Sequence, residues 1–136
     1  MTGYLLDTNT LIALLDRERR PTVLRRLLAQ PPGSVVTSVI VAHELYFGAA
    51  KSARPEDNRR RFDLLLEDLE PLPFTRGDAE AAGMIRARLK ALGTPIGPYD
   101  VLIASQALTR ELVLVTNNTR EFVRVDRLAI VDWLAA

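Results

Sequence analysis

With 136 residues, 48% of them hydrophobic, the chain is long enough for one domain with its own core and too apolar for disorder. The absence of cysteine excludes disulfides and thiolate-held metals, and no apolar run approaches the length of a membrane span. Basic and acidic residues nearly cancel, 18 against 17, so the net charge of +1 does not mark a polyanion binder.

The kind of cation says more: apart from Lys51 and Lys90 every one is arginine, which grips phosphate with two parallel donors, although an arginine-favouring codon bias accounts for it equally well. Asp7 interrupts the first residues before any signal-peptide core can form, so the expected location is the cytoplasm.

A short apolar run, Tyr4 to Leu6, reads as a buried strand. It stops at four residues with hydrogen-bonding side chains, Asp7, Thr8, Asn9 and Thr10. A helix over 10–15 follows, so Asp7 falls at the carboxyl end of a strand and just before a helix amino terminus. Ligands bind at that edge in open α/β sheets, and the helix dipole there favours an ionised carboxylate. The plainer role for Asp7 or Thr8 is the helix N-cap.

Residues 16–20 form a charged turn. Pro21 suits the first turn of a second helix with apolar Val23, Leu24, Leu27 and Leu28, and Pro31, Pro32 and Gly33 stop it. A second strand spans 35–37, and Ser38 can cap a helix over 39–52 that begins apolar on every side. His43 and Glu44 sit inside it. A carboxylate in so apolar a setting needs a cation, a metal or a route to solvent.

Pro55 opens a fourth helix whose Phe62, Leu65, Leu66 and Leu69 form a core-facing stripe, with Arg59, Arg60 and Arg61 as a solvated face or, less simply, an RNA-contacting ridge. Residues 72–74 read as a connecting or edge strand. Thr75 or Asp78 caps a fifth helix that Gly93 ends.

A loop rich in proline and glycine, 94–99, leads to Asp100 in the first turn of a helix over 100–110, apolar or small all round and therefore buried. The strand at 112–115 repeats the first pattern: apolar residues, then Thr116, Asn117, Asn118 and Thr119. A helical turn at 120–122, a last strand at 129–131 and a packed Trp133 complete the chain.

Alternating strands and helices imply a mostly parallel sheet covered on both faces. The strand ends at Asp7 and Asn118 can then share one edge, with Glu44 and Asp100 pointing at it beside the Thr8 and Thr116 hydroxyls. Crowded carboxylates must be neutralised, and an oxygen-only set suits Mg²⁺ or Mn²⁺. With His43 as the only histidine, a zinc site and a histidine-pair ribonuclease mechanism both fall away; His43 is expected to be structural or to line the groove.

Four segments together resemble the PIN domain: Leu6-Asp7-Thr8-Asn9, the helix bearing Glu44 to Ala49, the run Pro95 to Asp100, and the run Val115 to Phe122. Their order and spacing span essentially the whole chain and are most similar to VapC-type toxins of bacterial toxin–antitoxin pairs, in particular to the branch that cleaves initiator tRNA. The resemblance implies a three-layer α/β/α fold with a short parallel sheet, a single domain over 1–136, and a Mg²⁺-dependent endoribonuclease with Mn²⁺ as a substitute. It implies Asp7, Glu44 and Asp100 as acidic metal ligands, Thr8 and Thr116 as supporting hydroxyls, a tRNA substrate, a cognate antitoxin and a homodimer.

Many PIN domains carry an acid where this chain has Asn118; Glu121 is expected to supply that charge, with Asn118 orienting its neighbours. A catalytically silent PIN module serving as a binding partner is the alternative. A haloacid-dehalogenase-like phosphatase fits poorly, because Asn9 stands where its second aspartate belongs and Asn117-Asn118 where its later acidic pair belongs.

Overall fold

Leu5 and Leu6 are fully buried because their strand, β1 (Tyr4–Leu6), lies at the middle of the sheet. The computed structural model describes residues 2–16 and 18–135, so Arg17 of the expected charged turn lies outside the described residues. On one side β1 pairs with β2 (Val35–Ser38), Tyr4 beside Val35; on the other it pairs with β4, Tyr4 beside Val113. β4 spans Val113–Val115. The outer strands are two residues each, β3 (Pro71–Leu72) next to β2 and β5 (Ile130–Val131) next to β4. All pairings are parallel and the order is β3-β2-β1-β4-β5.

Parallel neighbours need crossovers, and helices supply them. α1 (Thr8–Leu15) and α2 (Pro21–Leu28) join β1 to β2; α3 (Val39–Ala50) and α4 (Pro55–Asp68) join β2 to β3. α5 (Arg76–Ala91) and α6 (Pro98–Thr109) carry the chain back across the sheet to β4, and the single turn of α7 (Thr119–Phe122) leads to β5. The direction of travel reverses between β3 and β4. Right-handed crossovers therefore place α1 to α4 on one face and α5 to α7 on the other, which gives the expected three layers. The reversal makes the gap between β1 and β4 a topological switch point, where such sheets open a crevice at their carboxyl ends.

Several boundaries move for identifiable reasons. α1 begins at Thr8 rather than residue 10, because Asp7 itself is the cap: its carboxylate accepts the Thr10 N–H at 3.0 Å. α6 begins at Pro98 rather than at Asp100, since proline is preset for the first helical position. α2 ends at Leu28, short of the prolines, and α3 ends at Ala50. β3 occupies Pro71–Leu72, a little before the expected residues 72–74. Thr75, not Asp78, caps α5; the two form a reciprocal capping box.

The α4 stripe is shallower than expected: Phe62, Leu65 and Leu66 pack partly buried against the core, and only Leu69, just past the helix, is fully inside. Arg59 to Arg61 are exposed; Arg59 lies over the Tyr46 ring and Arg60 pairs with Asp57. Trp133 is buried, its ring 5.3 Å from that of Tyr4. No helix among the described residues is long and apolar enough to cross a membrane.

Candidate active site

Asp7 stands where β1 ends and α1 begins. Its N–H donates to the Val115 carbonyl at 3.1 Å, which fixes it beside the end of β4. Its Oδ1 accepts from both the backbone N–H and the hydroxyl of Thr10, at 3.0 and 2.8 Å. The Thr10 hydroxyl also lies 3.1 Å from the Val115 carbonyl, so one buried threonine ties the cap to the neighbouring strand. Thr10 escaped the sequence reading, although a hydroxyl three residues after a capping aspartate is a visible signal. Burial pushes the Asp7 carboxyl above its ordinary range and Glu44 repels it further, against the opposing hydrogen bonds of Thr116 and Thr10.

Glu44 reaches the same edge from the second turn of α3. That helix is fully apolar on its buried side, with Val41, Ala42, Leu45 and Ala49 inside, and Ser38 caps its start. Glu44 is half-buried, and its Oε1 accepts the Thr8 hydroxyl at 2.9 Å. The expected partner was an arginine, a metal or water; the observed one is Thr8, the first residue of α1.

Asp100 sits in the first turn of α6, behind the Gly97 cap. A side chain at Gly97 would put its Cβ 3.0 Å from Asp100 Oδ2, so glycine leaves that carboxyl its room. Burial, then a hydrogen bond to Glu121 and repulsion from Glu121, Glu44 and Asp7, push the Asp100 carboxyl up to about 7. Glu121 in turn accepts from the Asn118 amide, Nδ2 to Oε2, at 2.9 Å. Asn118 stands at the N-cap position of α7, and its backbone N–H donates to the buried Thr116 hydroxyl at 2.9 Å. Asn9 and Asn117 bridge the two strand ends at 3.4 Å.

Asp7, Thr8, Glu44, Asp100, Thr116, Asn118 and Glu121 are thus brought together at the carboxyl edge of the sheet, while Arg59 to Arg61 stand apart on α4. Asp100 feels the charge of Glu121, Glu44 and Asp7, and Asp7 that of Glu44; among the described residues none of the four forms an ion pair with lysine or arginine. Nor do any three acids there close into a ready-made ligand shell; each is held by a neighbour of its own. An uncompensated set of hard oxygen donors, two with carboxyls pushed toward protonation, fits a divalent cation of the Mg²⁺ or Mn²⁺ kind. His43 is exposed at the rim, its ring 5.0 Å from that of Tyr99.

A short parallel sheet with acids gathered at its switch point is an arrangement found in nucleases, and comparison with known proteins points the same way. The family model of the PIN domain matches residues 4–128. A Salmonella typhimurium protein named tRNA(fMet)-specific endonuclease VapC is 40% identical over 133 residues, covering 98% of this chain and 99% of its own. The Haemophilus influenzae ribonuclease VapC2 is 38% identical over 134 residues, covering 98% of this chain and all of its own. Among solved structures, DNA-bound VapBC from Salmonella typhimurium superposes with a TM-score of 0.90 at 39% identity, covering 98% of this chain and 99% of that one. VapBC2 from Rickettsia felis, bound to a promoter DNA fragment, also gives 0.90, at 32% identity, with 97% and 99% covered. This chain belongs to the PIN-domain family, among the VapC ribonucleases.

Proposed function

We propose that this protein is a metal-dependent endoribonuclease toxin that hydrolyses tRNA in the cytoplasm and is neutralised by a cognate antitoxin. The observation that carries the reading is the group of four carboxylates at the switch point with no basic partner among the described residues. The names of relatives along the full chain support the ribonuclease activity, and the tRNA(fMet)-specific ones support tRNA as the substrate. The VapBC complexes support an antitoxin partner.

Asp7, Glu44 and Asp100 would hold Mg²⁺, or Mn²⁺ in its place, with Glu121 as the outer charge and Asn118 orienting it. Bound there, the cation would polarise a phosphoryl oxygen and lower the pKa of a water. The protein's own groups prepare that chemistry. Thr10 locks Asp7 Oδ1, and Thr8 holds Glu44 Oε1. Thr116 anchors the Asn118 backbone, which sets the turn that brings Glu121 to Asp100. The Asp100 carboxyl, pushed up to about 7, can take up or release a proton near neutral pH.

The test is cleavage of structured RNA with Mg²⁺, with EDTA, and by Asp7→Asn and Asp100→Asn. Cleavage that needs the cation and drops at least a hundredfold in each variant is expected, the order of several kcal/mol of lost transition-state stabilisation. Cation-dependent cleavage by both variants at the parent rate would refute the site. A silent binding module predicts no cleavage by the parent.

A further inference from the structure

Two aromatic side chains stand at the rim of the acidic group and are not needed to hold it. His43 directly precedes Glu44 on α3, and Tyr99 directly precedes Asp100 on α6. Their rings lie 5.0 Å apart with their planes tilted by 52°, bridging the two helices beside the carboxylates. Both are exposed to solvent, Tyr99 to 47% of its surface, although helices α3 and α6 are otherwise largely apolar where they pack. Neither the His43 ring nor the Tyr99 hydroxyl makes a hydrogen bond among the described residues. An exposed tyrosine gains little for the fold at such a place.

The electrostatics of the neighbourhood give the pair a use. Carboxylates not neutralised by a cation repel a polyanion, so phosphate contacts gain little at this edge beyond the cation itself. Adhesion beside the carboxylates must come from a group that attracts RNA without opposing charge. Flat aromatic faces do so, because every nucleobase presents a π-face, and RNA loops are read by splaying unpaired bases onto such rings.

We infer that His43 and Tyr99 form a stacking platform for an unpaired base next to the scissile phosphodiester. The inference rests on the ribonuclease reading above. It adds two residues that would hold an unstacked base beside the cut. Tyr99 is the principal surface and His43 its buttress from α3.

The experiment reads stacking and cleavage separately. Asp7→Asn protein, which retains the helix cap, is titrated in EDTA with an RNA hairpin carrying 2-aminopurine in its loop, whose fluorescence falls when the base stacks. The same protein is titrated with an abasic-loop hairpin and a blunt RNA duplex. Tyr99→Ala in this background is expected to weaken loop binding about tenfold and abolish the quench, with abasic and duplex binding unchanged. Tyr99→Phe should restore both, and His43→Ala should give an intermediate loss.

In otherwise unaltered protein, Tyr99→Ala should raise KM for the hairpin far more than it lowers kcat. A pair that merely pins α3 to α6 would instead lower the melting temperature and weaken all three RNAs alike, and that result overturns the inference. So does an unaltered quench in Tyr99→Ala, or in His43→Ala if Tyr99→Ala does not fold. If the unaltered protein cleaves RNA while either of these results holds, only the stacking platform falls. If it neither binds nor cleaves RNA, the ribonuclease reading falls with it.

Discussion

Asp100 and Asp7 are held in a folded state that would rather see them neutral, and this has a measurable sign. The Asp100 carboxyl at about 7 lies above its ordinary value near 4, so the folded chain binds more protons than the unfolded one between those pH values. In EDTA, stability should therefore fall as pH rises from about 4 to 7 and level off above, with Asp100→Asn melting higher than the parent at pH 8 and losing that advantage at pH 5. Added Mg²⁺ should narrow the difference at pH 8 by favouring the charged parent. Thermal melts across pH check this; a parent whose stability rises through that window contradicts it. A second outcome concerns the Asn118–Glu121 contact. Glu121→Gln should raise the metal concentration needed for half-maximal cleavage, whereas Asn118→Asp should leave cleavage at saturating Mg²⁺ nearly intact. Metal titrations with both variants separate the roles, and an unchanged metal dependence in Glu121→Gln would remove it from the site.

Among the elements, α5 and α6 are joined by a device that has nothing to do with the acids at the edge. Asp78, almost fully buried, accepts from Arg110 at 2.8 and 3.1 Å and from Thr109 at 2.6 Å, while Arg110 also reaches the Pro73 carbonyl at 3.1 Å. Burial alone would raise the Asp78 carboxyl, but Arg110, then Thr109 and Thr75, outweigh it and hold it down to about 2. That contribution is present above pH 4 and is lost as pH falls through about 2. Arg110→Ala leaves a buried carboxylate without its cation and should cost about 3 kcal/mol in denaturant unfolding, with any cleavage loss following the loss of folded protein. This pair also shows where the sequence stops being legible. Asp7, Glu44 and Asp100 could be found because each interrupts an apolar pattern at a strand end or helix start. Asp78 was visible only as a helix-start residue, since its partner lies on another helix and no periodicity joins them. The inner strands announced themselves as apolar runs. β3 and β5, two residues each, are set by neighbours across the sheet, and β3 fell a residue or two from its expected place. The Glu44–Thr8 bond was likewise hidden, because it depends on how α3 is laid against the start of α1.

At the scale of the whole molecule, apolar surface remains uncovered on the side of α1, α3 and α4. Ile12, Phe47 and Leu64 are 47%, 60% and 63% exposed, one on each of these helices. A symmetric homodimer through α3 and α4 would cover such a surface, and light scattering at micromolar concentration should report twice the chain mass, with Phe47→Glu shifting it toward the monomer. A monomer at that concentration would leave the surface to another partner.

The placement of β1 has a consequence for how the protein comes into being. Among the described strands β1 comes first and lies at the centre, yet its neighbour β4 and the acid Glu121 follow β2 and β3 in the chain. A ribosome releases the carboxylates of this edge one after another, and the switch point cannot close until residues 113–115 have emerged to pair with β1. Any activity of this edge is thereby delayed until β4 has been made. Chains halted after residue 112 should accordingly leave cellular RNA intact on induction and be cleared by proteolysis, and RNA breakage by such a fragment would disprove the delay.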